Sequence, residues 1–342
     1  MDSHRPLIIF GFIAAYMIMC ISVGIWAMRR THSPRDFFMA GRDLGIFVTA
    51  LAVFSSTMSG FGFVGGPGLV YKMGMSSFWM PFSNAIGYCL IFYLLAKRLR
   101  FMAELRDTIS LPDAVAARYN SELSRLLTAL AILLGVIGYL ASQIKAMATV
   151  LHDIIGNVGF IPEISLEGCL AIACAVLVFY CVTGGIIASV YTDLVQGAIM
   201  IVAAILVFIA ALNAVDGGMY GAVEAIMEDD SEAMGPWGTI GIMGCLSWFF
   251  IFGVGAMGQP HVVTKLMMTK KVEDARHILP VGVGGYLLCA LLWVGIGIAM
   301  RALVIQGGHT ELASPDKAAP QFLQFYTHPV LAGLVFAGLV AA

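Results

Sequence analysis

Charged residues are scarce in this chain. They make up 12% of its 342 residues, while hydrophobic residues make up 60%, against a charged share of roughly 25% in soluble proteins. A soluble core could not enclose that much apolar surface. The scarcity of charge therefore excludes a soluble protein and indicates one that crosses a membrane several times.

Motifs of the common enzyme classes are absent as well. The sequence has no P-loop, no GxSxG nucleophile turn and no HExxH zinc motif, and its apolar segments contain no pair of carboxylates. All seven cysteines lie in apolar stretches without a CxxC pair, which argues against a disulfide framework or a metal site built on thiolates. We therefore expect no enzyme activity, no organic cofactor and no nucleic-acid partner.

Long apolar segments are the main feature that is present, and they predict an all-α polytopic membrane protein. A ninth span begins near Pro329. We place the other spans at about residues 7–28, 45–71, 75–96, 126–151, 166–183, 191–212, 238–258 and 279–303.

Basic residues are concentrated in alternate loops. Fourteen of the 19 lysines and arginines lie in three segments, at residues 29–42, 97–125 and 265–276. Because basic loops stay in the cytoplasm, we expect these three to be cytoplasmic and the N-terminus to lie outside the plasma membrane. The acidic stretch at residues 224–232 lies on the opposite side, as a solvated loop or a surface helix. In the loop 97–125, Ser110 is predicted to cap a helix.

The segment from Leu44 to Tyr71 has no charge, yet its middle is unsuited to a continuous helix. Residues 54–68 read FSSTMSGFGFVGGPG, with five glycines, a proline and four hydroxyl side chains. Interrupted backbone at membrane depth is tolerated only where it is buried in protein or lines a cavity, and secondary transporters build their binding sites from such breaks. The hydroxyls could alternatively be ordinary helix contacts bonded to local carbonyls.

Four groups of motifs occur in the order and spacing of one known family. They are Asp36–Gly45 (DFFMAGRDLG), Ser55–Gly60 with Gly65–Gly68, Thr183–Gly185 with Tyr191–Gln196, and Gly258–His261 (GQPH). With these motifs the chain resembles the sodium:solute symporter family.

The resemblance implies a LeuT-like fold of two inverted repeats of five helices in a single transmembrane domain, residues 1–342. Residues 1–30 would form an extra first helix, residues 44–212 the first repeat (helices 2–6), and residues 238–342 an incomplete second repeat (helices 7–9). The chain would then be an N-terminal fragment that ends in the ninth helix. Helices 2 and 7 would be the broken pair, with the break of helix 7 at Gly253–Gly255.

The same resemblance implies candidate site residues. The sodium ligands would be the backbone carbonyls of Ser55, Met58 and Ala342. The solute would contact Thr57, Gly60, Phe61, Tyr139 and Phe252. Thr57 stands where proline carriers of the family have an aspartate. For the aromatic residues, core packing is the alternative role.

Asp193 has two compatible interpretations. It could cap the start of helix 6 after the Gly184–Gly185 turn, or, by its match to the family motif, it could line the sodium exit path.

The function implied is sodium-coupled uptake of a small polar organic solute, such as an amino acid or a carboxylate, by alternating access across the lipid bilayer. Sodium would be the coupling ion, although proton coupling stays open. Two alternatives remain: a symporter-like sensor domain of a histidine kinase, and a truncated fragment that does not transport.

Overall fold

A computed structural model describes residues 4–42, 44–58, 60–156, 162 and 164–340. Within these residues the protein is built from α-helices joined by short 3₁₀ and π-helical turns. The α-helices are α1 (Arg5–Met28), α2 (Pro34–Met39), α3 (Ile46–Thr57), α4 (Gly60–Met73), α5 (Trp79–Leu90), α6 (Lys97–Leu105), α7 (Leu111–Tyr119), α8 (Glu122–Ile155), α9 (Leu166–Ala214), α10 (Gly218–Asp229), α11 (Gly241–Trp248), α12 (Pro260–Leu266), α13 (Ala275–Ile305), α14 (Ala318–Tyr326) and α15 (Pro329–Val340).

Six helical stretches of the described chain are long and apolar enough to cross a membrane. They are Arg5–Met28, Gly62–Leu105, Glu122–Ile155, Leu166–Ala214, Gly238–Gly258 and Val272–Ile305. Two shorter apolar helices, Ile46–Thr57 and Pro329–Leu339, accompany them. The prediction of an all-α polytopic membrane protein is confirmed.

The second predicted span is interrupted close to the predicted place. Helix α3 ends at Thr57, Met58 has the non-helical angles φ −88° and ψ 69°, and α4 begins at Gly60. The helix then continues through Pro67, so the break is shorter than the glycine-rich stretch that predicts it.

Helix α9 contains the predicted turn between two spans. Gly185 adopts φ 57° and ψ −149° inside an otherwise helical run, a conformation that favours glycine. A Cβ at Gly185 would also lie 2.8 Å from the carbonyl oxygen of Phe37 in α2. The glycine thus allows both the turn and the close approach of α2.

The predicted break at Gly253–Gly255 lies where α-helical geometry is lost. Residues Phe249–Val254 form a π-helical turn and Gly255–Gly258 a 3₁₀ turn, and the backbone becomes extended only at Gln259. A Cβ at Gly87 of α5 would lie 2.6 Å from the carbonyl oxygen of Gly253. The π-helical turn therefore packs directly against α5, with small residues at the contact as in other membrane helix pairs.

The three basic segments meet at one end of the bundle. Leu44, after the first segment, pairs with Thr269 of the third. Arg100, in the second segment, is buried and donates through Nε to the Thr269 carbonyl at 2.7 Å and through Nη2 to the Lys270 carbonyl at 3.2 Å. Helix α7 begins after Ser110, whose hydroxyl accepts from the Asp113 amide at 3.2 Å, so the predicted cap is confirmed.

Other charged residues pair away from these segments. Lys317 binds Asp153 at 2.5 Å, and Arg301 binds Asp230 at 3.0 Å. The acidic stretch forms the end of α10 and the following 3₁₀ turn, in agreement with the surface-helix alternative.

Candidate functional site

The interruption after α3 presents backbone carbonyls inside the protein. Ser55 and Met58 are both buried, and the Met58 amide still bonds the Phe54 carbonyl at 3.2 Å. The last turn of a helix has carbonyls without an intrahelical N–H partner, and in α3 that turn includes Ser55. Hard cations such as sodium bind carbonyl oxygens of this kind.

Gln196 connects this break to α15. The Ser55 hydroxyl donates to Oε1 of Gln196 at 3.2 Å, and Nε2 of Gln196 donates to the Gly338 carbonyl at 2.8 Å. Gln196 is 1% exposed, so both hydrogen bonds lie in the protein interior. The break in the second predicted span therefore lies near the ninth, where the resemblance places a sodium site.

A cavity of about 430 Å³ opens beside the same region, lined among others by Ser55, Ser56, Tyr139, Asp193 and Lys265. An adjoining cavity of about 660 Å³ shares Tyr139 and extends to Leu111 in the second basic segment.

His261 is among the residues that line both cavities. Its ring stacks on that of Tyr139, with centroids 5.2 Å apart and planes at 10°. The stack joins α8 to α12 at the cavity wall.

The Asp193 side chain forms an ion pair with Lys265. The Lys265 Nζ and an Asp193 carboxylate oxygen are 2.5 Å apart, and the two side chains are 5% and 16% exposed. Lys265 Nζ also donates to the Ala52 carbonyl at 3.0 Å and to the Ser56 hydroxyl.

This pair corrects two expectations. Asp193 does not cap a helix, because the turn is at Gly185 and Asp193 lies two helical turns further on. Lys265 is not a residue of an exposed basic loop, because α12 carries it into the protein interior.

The structure brings together only some of the predicted site residues. Ser55, Tyr139 and Asp193 line one cavity, whereas Thr57 and Phe252 are not among its lining residues. The Thr57 hydroxyl donates to the Val53 carbonyl of its own helix at 3.2 Å. Phe252 packs edge-on against Trp248, with ring centroids 6.0 Å apart.

The remaining predictions are not tested by side-chain geometry. Gly60 begins α4, Phe61 is described by its backbone alone, and Ala342 lies outside the described residues.

Gln196 and Lys265 were missed as site residues. One signal for Lys265 was available, because a carboxylate in an apolar segment such as that of Asp193 needs a cationic partner. Gln196 follows Asp193 by three residues and therefore lies on the same helix face. The sequence could not show that this face meets α3, α12 and α15.

A multi-spanning helical protein with an interrupted helix beside a cavity that carries an Asp–Lys ion pair has the architecture of secondary transporters. Residues 37–342 match the family model described as "Sodium:solute symporter family". The chain belongs to this family, as its motifs predicted.

Curated relatives are symporters or transporters. The chain is 29% identical over 332 residues to the osmoregulated proline transporter OpuE of Bacillus subtilis (strain 168), covering 96% of this chain and 65% of the relative. It is 28% identical over 335 residues to the sodium/proline symporter of Staphylococcus aureus (strain JH9), covering 96% and 63%. The chain thus spans a little under two thirds of the length of these relatives.

A solved structure of a Na⁺-coupled sialic acid symporter, in a substrate-bound outward-open state, is similar in fold. The two superpose with a TM-score of 0.82 over 98% of this chain and 70% of that one, at 19% sequence identity. This similarity supports the LeuT-like fold predicted from the motifs.

Proposed function

We propose that the protein takes up a small polar organic solute together with sodium by alternating access. The observation that carries the proposal is the Ser55–Gln196–Gly338 bridge. It joins the end of α3 to α15, between which the family resemblance places sodium. The relatives named for proline, and the structural neighbour named for sialic acid, both suggest a solute with a carboxylate.

The chain's own groups fit a sodium ion at the break. The carbonyls of Ser55 and Met58 are hard oxygen ligands at a buried helix end, and Ala342 would add a third carbonyl.

Sodium held there supplies the driving force for uptake. One sodium ion crossing a potential of about 100 mV releases about 2.3 kcal/mol, and a tenfold sodium gradient adds about 1.4 kcal/mol. Together these support a solute gradient of several hundredfold.

We propose that the solute enters the cavity beside the break. Tyr139 and His261 would form one wall of its path, while Thr57, Gly60, Phe61 and Phe252 would face it in another state of the alternating cycle. The two inverted repeats, residues 44–212 and 238–342, would rock against each other to change access.

We also propose that the basic segments face the cytoplasm and the N-terminus faces the outside of the plasma membrane. The meeting of all three basic segments through Leu44, Arg100 and Thr269 supports this arrangement. Reporter fusions at the N-terminus and within residues 97–125 should report opposite sides of the membrane.

Uptake by the full-length protein in proteoliposomes tests the proposal. An inward sodium gradient should accumulate a labelled amino acid or carboxylate at least tenfold over a matched choline gradient. Equal accumulation in choline would overturn sodium coupling, and accumulation driven by a proton gradient alone would replace sodium by protons.

A matched pair of glycine variants tests whether the interruption between α3 and α4 is the site of sodium and solute binding. Gly60→Leu should abolish uptake by filling the interruption, without loss of membrane insertion. Gly11→Leu on α1 is the control, because a Cβ at Gly11 would meet nothing within 4 Å. Normal uptake by Gly60→Leu would mean that sodium and solute do not bind at the interruption between α3 and α4.

A further inference from the structure

The amine of Lys265 sits in a cluster of oxygen atoms outside the proposed sodium site. The Ala52 carbonyl, the Ser56 hydroxyl and the Asp193 carboxylate surround Nζ. An ammonium group has three N–H donors and no acceptor, so these three oxygens satisfy it completely.

The oxygens come from two separate helices, and the amine from a third. Ala52 and Ser56 belong to the last two turns of α3, Asp193 belongs to α9, and Lys265 belongs to α12. Because all three helices converge on a single charge, the lysine holds the end of α3 against both neighbours at the cavity wall.

The ligand set is one that an inorganic cation could also use. A carbonyl, a hydroxyl and a carboxylate are hard oxygen ligands. The Asp193 carboxylate is 16% exposed, and a largely buried carboxylate is stabilised by a cation beside it. In this chain the Lys265 side chain, 5% exposed, supplies it.

We propose that Lys265 is a tethered cation that occupies a cation site formed by Ala52, Ser56 and Asp193 and thereby excludes sodium from it. The lysine determines how many sodium ions the chain binds. It also makes Asp193 a fixed ion-pair partner and removes it from the path of sodium. Without the amine, the same oxygens would take a sodium ion.

Sodium binding to purified full-length protein tests this inference, with radioactive sodium counted per chain. Wild type and Lys265→Arg should bind the same number of ions. Lys265→Met should bind one more. Lys265→Met combined with Asp193→Asn should return to the wild-type number, because the carboxylate charge is then gone.

Thermal stability supplies a second readout. The Tm of Lys265→Met should rise on replacing choline with sodium by more than the Tm of wild type does, since a ligand that binds only the folded state stabilises it. A Lys265→Met protein that folds only in sodium would support the inference equally.

The inference fails if Lys265→Met binds the wild-type number of sodium ions with unchanged sodium dependence of Tm. It also fails if that variant is unfolded in both sodium and choline, because sodium should replace the amine. The result is independent of the proposed transport. A wild-type protein that binds no sodium would overturn sodium coupling. One sodium ion gained by Lys265→Met would still support the inference that Lys265 is a tethered cation.

Discussion

Gln196 and Gly338 lie 142 positions apart in the chain, and their side-chain amide and backbone carbonyl meet at 2.8 Å in the protein interior. Gln196 also accepts a hydrogen bond from the Ser55 hydroxyl. One buried amide therefore fixes the position of α15 relative to the interruption of the second span. A substitution of Gln196 should therefore lower both the free energy of unfolding and the affinity for sodium.

Gln196→Leu keeps the side-chain volume but removes both hydrogen bonds. The Ser55 hydroxyl and the Gly338 carbonyl lose their partner, which should cost about 1–3 kcal/mol of unfolding free energy, nearer the lower end for a bond between membrane helices. Sodium affinity should fall as well. Denaturant unfolding and sodium titration measure the two effects. Asn213→Ala is the control, because the exposed Asn213 side chain donates to the Ile209 carbonyl of its own helix. Equal losses in both variants would contradict the bridging role.

Gly297→Ala should destabilise the contact between α4 and α13. A Cβ at Gly297 would lie 2.4 Å from the Val70 Cβ and 2.8 Å from the Pro67 carbonyl oxygen, so the helices would have to separate. Overpacking of this kind typically costs about 1–3 kcal/mol. Thermal unfolding in detergent gives the measurement.

Gly282→Ala provides the matched control on the same helix. Gly282 is also buried, but a Cβ there would meet nothing within 4 Å. Because alanine favours the helix over glycine by about 1 kcal/mol, this variant should be neutral or slightly stabilised. A Tm for Gly297→Ala at or above that of Gly282→Ala would refute the close packing.

Arg100→Ala should destabilise the end of the bundle where the basic segments meet. Arg100 is 8% exposed on its side chain and donates to the carbonyls of Thr269 and Lys270. Hydrogen bonds from charged groups contribute about 1.5–3 kcal/mol. The exposed Arg98 offers a control, since Arg98→Ala should change stability by less than about 0.5 kcal/mol. Limited proteolysis of the 97–125 segment should accelerate only in Arg100→Ala.

Acidification should weaken the contact between α10 and α13. A hydrogen bond from Arg301 lowers the pKa of Asp230 below its ordinary value of 3.8. The unfolded chain therefore takes up this proton at a higher pH than the folded protein does. The stabilisation is present above about pH 4 and is lost as the pH falls through the folded-state pKa.

Thermal unfolding between pH 6 and pH 3 measures this loss. The Tm of wild type should exceed that of Asp230→Asn at pH 6, and the difference should shrink towards pH 3. The exposed Glu228 serves as a comparison, because Glu228→Gln should leave the pH profile of wild type almost unchanged. A difference that persists at pH 3 would show that the carboxylate charge is unimportant.

The membrane class, the break near Met58 and the turn at Gly185 could be predicted because each rests on local chemistry. Interrupted backbone at membrane depth is tolerated only beside protein or a cavity, so the polar and glycine-rich middle of this segment indicated a break there, and a Gly-Gly pair permits a turn. The extent of the interruption in the seventh span could not be predicted, because the chain has π and 3₁₀ geometry over residues 249–258 and becomes extended only at Gln259. Glycine at a helix contact and glycine at a break look alike in sequence.

By itself, the sequence determined the family and the membrane class, since both depend on composition and short motifs. Only the tertiary structure decided that Lys265 is buried against Asp193 and that Gln196 joins Ser55 to Gly338. The sequence places Lys265 among basic residues that would face solvent, and only the fold shows that its side chain is 5% exposed. There its charge needs the oxygens of two other helices, and their proximity depends on packing between segments that are distant in the chain.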